Sequence, residues 1–470
     1  MMRIFAVVLF FLFACADEFE APEIELSTSS PIAFATDASK QVFYVLNSDM
    51  NHRFSSGSIL VLSKEGEKLT RVKTPRIGRH LTVRGNDLFA TFDKESGDNE
   101  GTKLLLFDIS TPTNPSPVKE FPLDSCDPLN IVAPANYAYF AVTCLNGKLF
   151  VGELKDPRRD STVKHVRTYS GFTRRAMHLD KSRGLLFSFV TDIGAPDLFD
   201  KKDRDEVSYE TNAKVEGSGP NEIPDEIEKS KTRSLALNRD SSHFQFTIYD
   251  INKAIQDGFP LLEKEQVPRT EYRWLYFNLK NGDGEWDDKE VADEPTKFKY
   301  YRTNFWEAQA DEDNADIFYL SHVGYAKDGY SEKANDVIKV TISTTNDPRT
   351  TEKTSDFFTF ERVYGLSKDE RGGDKYLASF QLTKLNDKKV VVVNSFRDLV
   401  NFDNPRYIVA VRRLEDGKFM QAASSDLEQS YFGLAVAGDT ILTGSFYTHG
   451  LRLFKIDLES DTLNLLNSYD

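Results

Sequence analysis

Short apolar runs alternate with polar, turn-forming clusters through most of the chain. Four of the runs open on a glycine: 57–62 from Gly57, 101–109 from Gly101, 147–154 from Gly147 and 450–458 from Gly450. Three more, 244–251, 336–342 and 407–414, share the apolar character without the glycine. Runs of this length, rich in β-branched and aromatic residues, predict buried strands rather than helices. A hairpin precedes each run. Two hairpins turn on nearly the same sequence, Asp37-Ala38-Ser39-Lys40 and Asp180-Lys181-Ser182-Arg183. Others turn on Gly85-Asn86-Asp87, Ala135-Asn136 and Gly438-Asp439. These residue types suit tight turns because they tolerate positive φ or hydrogen-bond their own backbone. A more polar strand follows each run, as at Lys68–Thr74, 118–122 and 462–468. The unit is a four-stranded antiparallel meander of about 45 residues. Seven units tile the chain: 31–76, 79–122, 127–170, 174–270, 301–363, 375–425 and 430–470, the fourth and fifth with insertions. One meander cannot bury both of its faces, whereas seven in a ring can. The pattern predicts an all-β, seven-bladed propeller.

Two features carry a family resemblance. Asp108-Ile109-Ser110-Thr111-Pro112-Thr113-Asn114-Pro115 resembles the end of the third strand in LVIVD-repeat propellers. The two Asp-x-Ser-Lys/Arg turns resemble YVTN-type surface propeller repeats. The resemblance implies a seven-bladed propeller at a bacterial surface or in the periplasm. It implies no particular activity, because propellers host many.

The N-terminus reads as an address. Arg3 precedes an apolar run, 4–14, that is too short for a hydrocarbon core needing about 20 helical residues. Residues 1–14 therefore read as a signal peptide. Leu12-Phe13-Ala14-Cys15 resembles the lipobox of bacterial lipoproteins, which implies that Cys15 is lipidated and that 15–30 form an acidic tether. Ala16 after the cysteine implies, by resemblance to enterobacterial sorting, attachment at the outer membrane, on its periplasmic or surface side. A plain secretory signal is the alternative. The 470 residues carry 74 acids against 59 Lys and Arg, a net charge of −15. Such a chain lacks the basic footprint of a nucleic-acid binder. Three cysteines are too few for a disulfide scaffold. One pair nonetheless suits an exported protein. If the hairpin of the third unit is symmetric about residue 135, Cys126 and Cys144 face each other at bonding distance.

Candidate chemistry is sparse. No P-loop, H-E-x-x-H or G-x-S-x-G motif is present. Ser161-Thr162-Val163-Lys164 matches S-x-x-K but falls on an outer strand without its companion motifs. The segment 281–288 places Asn281, Asp283, Glu285, Asp287 and Asp288 around two glycines, a hard-oxygen set suited to Ca²⁺. It fails the EF-hand template, and a solvated acidic loop is the competing reading. His80, His178, His322 and His449 fall near one end of the ring, where they would either converge on a metal or lie scattered. Arg79, His80, Arg174, Arg175 and Arg302 open innermost strands and would meet around the mouth of the central channel. There they would form a positive spot for carboxylate or phosphate, or pair with neighbouring acids and hold blades together.

Long connections are expected on the face that joins strands two to three and blade to blade: 47–56, 93–100, 192–242, 270–301, 321–334 and 394–405. Phe54, Tyr325, Tyr330, Phe402 and Tyr447 lie on the same face. Together these features lead to a lipid-anchored, non-catalytic module that binds a protein partner or surface polymer, either as a monomeric body or within an envelope assembly. A lactonase-like or other propeller hydrolase with its site at the channel mouth is the alternative.

Overall fold

The computed structural model describes residues 30–469 except 38, 40, 49–55, 95–101, 170–172, 192–212, 215–222, 225–240, 263–271, 279–300, 327–332, 352–355, 366–374, 398–406, 415–418, 425–430 and 446–449. The signal segment, Cys15, most of the tether, the acidic loop 281–288 and most of the long connections lie outside the described residues, as does His449. The chain folds into seven four-stranded antiparallel sheets, each a meander in sequence order. Blade 1 holds β1 (Pro31–Asp37), β2 (Val42–Asn47), β3 (Gly57–Ser63) and β4 (Lys68–Thr74). Blade 2 holds β5 (Gly78–Arg84), β6 (Asp87–Phe92), β7 (Lys103–Asp108) and β8 (Ser116–Pro122). Blade 3 holds β9 (Pro128–Val132), β10 (Tyr139–Cys144), β11 (Lys148–Glu153) and β12 (Thr162–Thr168). Blade 4 holds β13 (Thr173–Asp180) and β14 (Leu185–Thr191), then β17 (Ser241–Asp250) and β18 (Tyr272–Asn278). A short parallel pair, β15 (Ala213–Lys214) and β16 (Ile223–Pro224), lies between its halves in sequence. Blade 5 holds β19 (Tyr301–Ala310), β20 (Ile317–Ala326), β21 (Lys333–Ile342) and β22 (Phe358–Gly365). Blade 6 holds β23 (Lys375–Leu385), β24 (Lys388–Arg397), β25 (Tyr407–Arg413) and β26 (Phe419–Ser424). Blade 7 holds β27 (Tyr431–Ala437), β28 (Thr440–Ser445), β29 (Leu451–Asp457) and β30 (Thr462–Tyr469).

The first strand of every blade touches the first strand of the next, and β27 meets β1, so the ring is closed. Each blade is one continuous stretch of chain, and no strand is exchanged at the seam between blades 7 and 1. Burial follows the order of strands. Every residue of β2 is buried, whereas β30 is mostly exposed. The core is divided among the interfaces between blades. In the largest cluster, Phe187, Phe189 and Phe246 of blade 4 pack on Phe305, Phe318 and Phe358 of blade 5.

The hairpin turns form as their residues dictate. The Asp180 carboxylate accepts from the Ser182 and Arg183 amides at 2.9 and 3.1 Å and from Ser182 Oγ at 2.5 Å. In the matching turn of blade 1, Ser39 Oγ donates to Asp37 at 2.6 Å. Neighbouring blades are clasped near these turns: Arg158 to Asp87 at 2.9 Å, Arg183 to Asp316 at 2.6 Å and Lys389 to Asp311 at 2.7 Å.

A register slip occurs in all seven pairs of first and second strands, with the extra residue always on the first strand. The extra residues are Ile32, Arg79, Leu129, Arg175, one of Trp306 and Glu307, Ala378, and Phe432. A bulge bends its strand and re-aims side chains. This one recurs in each strand that lines the channel, toward its start in all but β19.

The Cys126–Cys144 disulfide is formed, with Cα atoms 5.2 Å apart. Its route differs from the symmetric hairpin. Thr143 pairs with Asn130 and Cys144 with Pro128, so Cys126 lies beyond the ladder. The turn 124–127, with Ser125 at φ 52°, curls it back to its partner. Two connections on the short-turn face are longer than the pattern suggests, namely 251–271 and 343–357. The first contains a short helix, α1 (Ile251–Gln256), capped by Asp250, whose side chain accepts from the Lys253 amide.

Candidate functional site

The channel-lining strands gather a polar cluster in one sector of the ring. β5 contributes His80, β9 Asn130, β13 Arg175, and β19 Trp306 and Glu307. The bulges in β5, β13 and β19 fall at these residues. The Arg175 guanidinium lies over the Trp306 ring, 4.7 Å from its centroid, a cation–π arrangement. Asn130 Nδ2 donates to the Arg175 carbonyl at 2.6 Å and ties blade 3 to blade 4. Glu307 Oε2 accepts from the Phe380 amide at 3.1 Å and ties blade 5 to blade 6.

This staple recurs around the ring. Gln309 accepts from the Leu382 amide at 2.7 Å and donates to its carbonyl at 3.2 Å. Gln381 accepts from the Val436 amide at 2.8 Å. A side chain of one inner strand thus satisfies the backbone of the next, where no ladder joins the blades.

Protein walls in the cluster, yet His80, Arg175, Trp306 and Glu307 each keep part of their surface accessible. Burial pushes the His80 imidazole down to about 3, and the charge of Arg175 adds to the shift, so His80 is neutral at physiological pH. Burial also lowers the Arg175 guanidinium, and Glu307 opposes that shift. The Glu307 carboxyl is raised by burial to about 7, against the pull of Arg175 and the Phe380 amide. A carboxyl that titrates near neutrality beside a cation is the signature of a functional candidate. Two polar atoms here, His80 Nδ1 and Trp306 Nε1, are buried without a hydrogen-bond partner.

The residues singled out in sequence separate into groups. His80 and Arg175 meet in the cluster. Arg79 turns to Asp93, its Nε donating at 3.0 Å. Asp93 also hydrogen-bonds Asp127, whose carboxyl is raised by burial and then by the Asp93 charge, with Arg79 opposing. Arg174 pairs opposite Val190 and Arg302 opposite Tyr325 in their ladders, and their side chains lie outside the described residues. Arg302 is not the counterpart of Arg175. β19 begins earlier than its equivalents, so the bulge position of blade 5 falls at Trp306 and Glu307. Aligning units on the bulge rather than on the strand start would have found both. His178 stacks on Phe318 at 4.3 Å and on Phe187 at 6.2 Å within the core between blades 4 and 5. Among the described residues no group of three or more His, Cys, Asp or Glu side chains is placed to hold a metal. None of their helices is long and apolar enough to cross a membrane.

No family model matches the sequence, and no curated protein matches it. Solved structures do. A putative 6-phosphogluconolactonase from Bacteroides fragilis is 9% identical, with 93% of this chain and 96% of that chain covered and a TM-score of 0.50. The Cps50 (Swd1) β-propeller domain of Myceliophteria thermophila is 7% identical over 91% and 97% of the two chains, with a TM-score of 0.49. The periplasmic gluconolactonase of Pseudomonas aeruginosa is 12% identical over 91% and 96%, at 0.48. At these identities the likeness is one of fold: the chain is a seven-bladed β-propeller.

Proposed function

We propose that the chain is a lipid-anchored, non-catalytic binding module of the cell envelope, held at the outer membrane through Cys15, that takes a protein partner or surface polymer on its long-connection face. The recurrent inner-strand bulge is the observation that carries this reading. It recurs in all seven innermost strands, and Arg79 and Arg175 are among its extra residues. A mixed collar of arginine, aromatic and aliphatic residues has the composition of interface anchors. The test pairs two variants. Cys15→Ser should move the protein from the membrane fraction to the soluble one. Replacing residues 196–239 by a short Gly/Ser bridge should leave Tm nearly unchanged while lowering partner recovery in crosslinking pulldowns from native envelopes. Undiminished recovery would exclude the face.

Glu307 favours a second reading, a propeller hydrolase at the channel mouth, because its carboxyl is set near neutrality beside Arg175. Hydrolysis of a lactone panel that disappears in Glu307→Gln would establish it over the first.

A further inference from the structure

We propose that the sector of the channel bounded by His80, Arg175 and Trp306 is a binding site for a small oxyanion, a carboxylate or phosphate group. This site lies within the ring and shares Arg175 with the collar invoked for the long-connection face, but it is tested by anion binding rather than by partner recovery. Trp306 Nε1 is buried without a partner. An indole N–H only donates, so what completes it is an acceptor. His80 Nδ1 is a second buried, unpartnered polar atom, and its neutral ring imposes no positive or negative charge of its own. Leaving such atoms unmet is costly, so an acceptor that meets the indole N–H, or the imidazole as its Nδ1–H tautomer, has a standing advantage there. The charge of Arg175 is within electrostatic reach of His80 and 4.7 Å from the Trp306 ring centroid. A cation beside two buried, unmet hydrogen-bonding groups favours an anionic acceptor over a neutral one.

Two features pre-organise the site. Asn130 fixes the Arg175 backbone from the neighbouring blade, at 2.6 Å. Glu307, which acts electrostatically on Arg175, is itself held in place by the Phe380 amide at 3.1 Å. The bulges in β5, β13 and β19 bring residues of three blades to this sector.

The experiment titrates the full folded chain with sodium acetate and, separately, with inorganic phosphate. Sodium chloride at matched ionic strength is the control, and binding is read by calorimetry and by Tm. Saturable binding of either anion is expected. Preference for acetate assigns the site to carboxylates, and preference for phosphate to phosphoryl groups. Trp306→Phe keeps an aromatic ring beside Arg175 but removes the indole N–H together with part of the ring; it should weaken binding by about ten-fold, the loss of one hydrogen bond to a charged group, and its Tm without anion measures separately what the smaller ring costs in packing. Arg175→Gln should abolish binding. If that variant fails to fold, Trp306→Phe alone decides. Absence of saturation with both anions, or unchanged affinity in Trp306→Phe, overturns the proposal and leaves the sector to water.

Discussion

His178 shows how one residue ties blade packing to solution conditions. Its ring stacks on Phe318 in the core between blades 4 and 5, and burial holds it well below the ordinary imidazole value, with Asp180 opposing the shift. A histidine that resists protonation when folded but accepts it freely when unfolded loses stability to acid. Its contribution is complete above the unfolded value of about 6.5 and declines as pH falls below it. The expected outcome is a urea midpoint that drops between pH 7 and pH 5. His178→Phe, which preserves the stack, should lessen that drop and leave the part due to His80, which burial also holds low, and an unchanged slope would assign the acid response elsewhere. At this scale the sequence was only partly readable. His178 is a plain candidate ligand on paper, and only the rings of Phe187 and Phe318 reveal it as core. Glu307 offered no sign, because nothing local distinguishes a buried glutamate from a solvated one.

At the scale of strands and turns, side-chain chemistry announced the hairpins and concealed their registers. In Asp37-x-Ser39 and Asp180-x-Ser182 the serine hydroxyl donates to the aspartate carboxylate, and Asp180 also accepts from the Ser182 and Arg183 amides, as their composition suggests. The bulges left no such mark. The β9–β10 hairpin pairs Val132 with Ala141, so it is centred on 136–137 rather than on 135, and Cys126 does not face Cys144 in the ladder although the bond itself forms. Arg302 is not the bulge residue of its blade, since strand starts and bulge positions part company in β19. The bulge in blade 5 also exposes its support. The amide of Glu307 donates to Ser321 Oγ at 2.9 Å, and Ser321 is fully buried. Ser321→Ala leaves that amide unsatisfied and should cost about 1–3 kcal/mol. Ser321→Thr, which keeps the hydroxyl, should cost less. Chemical denaturation of the two variants checks the order, and equal losses would mean that packing rather than the hydroxyl is at stake.

At the scale of the whole ring, counting repeats was sufficient to reach the fold, because seven blades follow from seven apolar runs. The manner of closure did not follow. Blade 7 meets blade 1 through side chains: Phe34 lies over Gly433 and Gly444, and Tyr469 Oη donates to the Gly66 carbonyl at 2.8 Å. A Cβ on Gly433 would strike the Phe34 ring. Gly433→Ala should therefore destabilise by about 1–3 kcal/mol as an overpacked contact. Pairing it with Phe34→Leu should restore part of the loss, and additive losses would show that the two residues do not meet.

The seam also has a topological meaning. Every other blade-to-blade junction runs from the end of an outermost strand to the start of the next innermost one, and residues 75–77 and 123–127 span that gap. Residues 469 and 31 stand in the same relation across the seam. A peptide no longer than those junctions would make the ring covalently continuous, and a cut within 366–374 would then give a circularly permuted chain with the same blades in a new order. Where the polypeptide starts is, for this architecture, a matter of sequence rather than of shape.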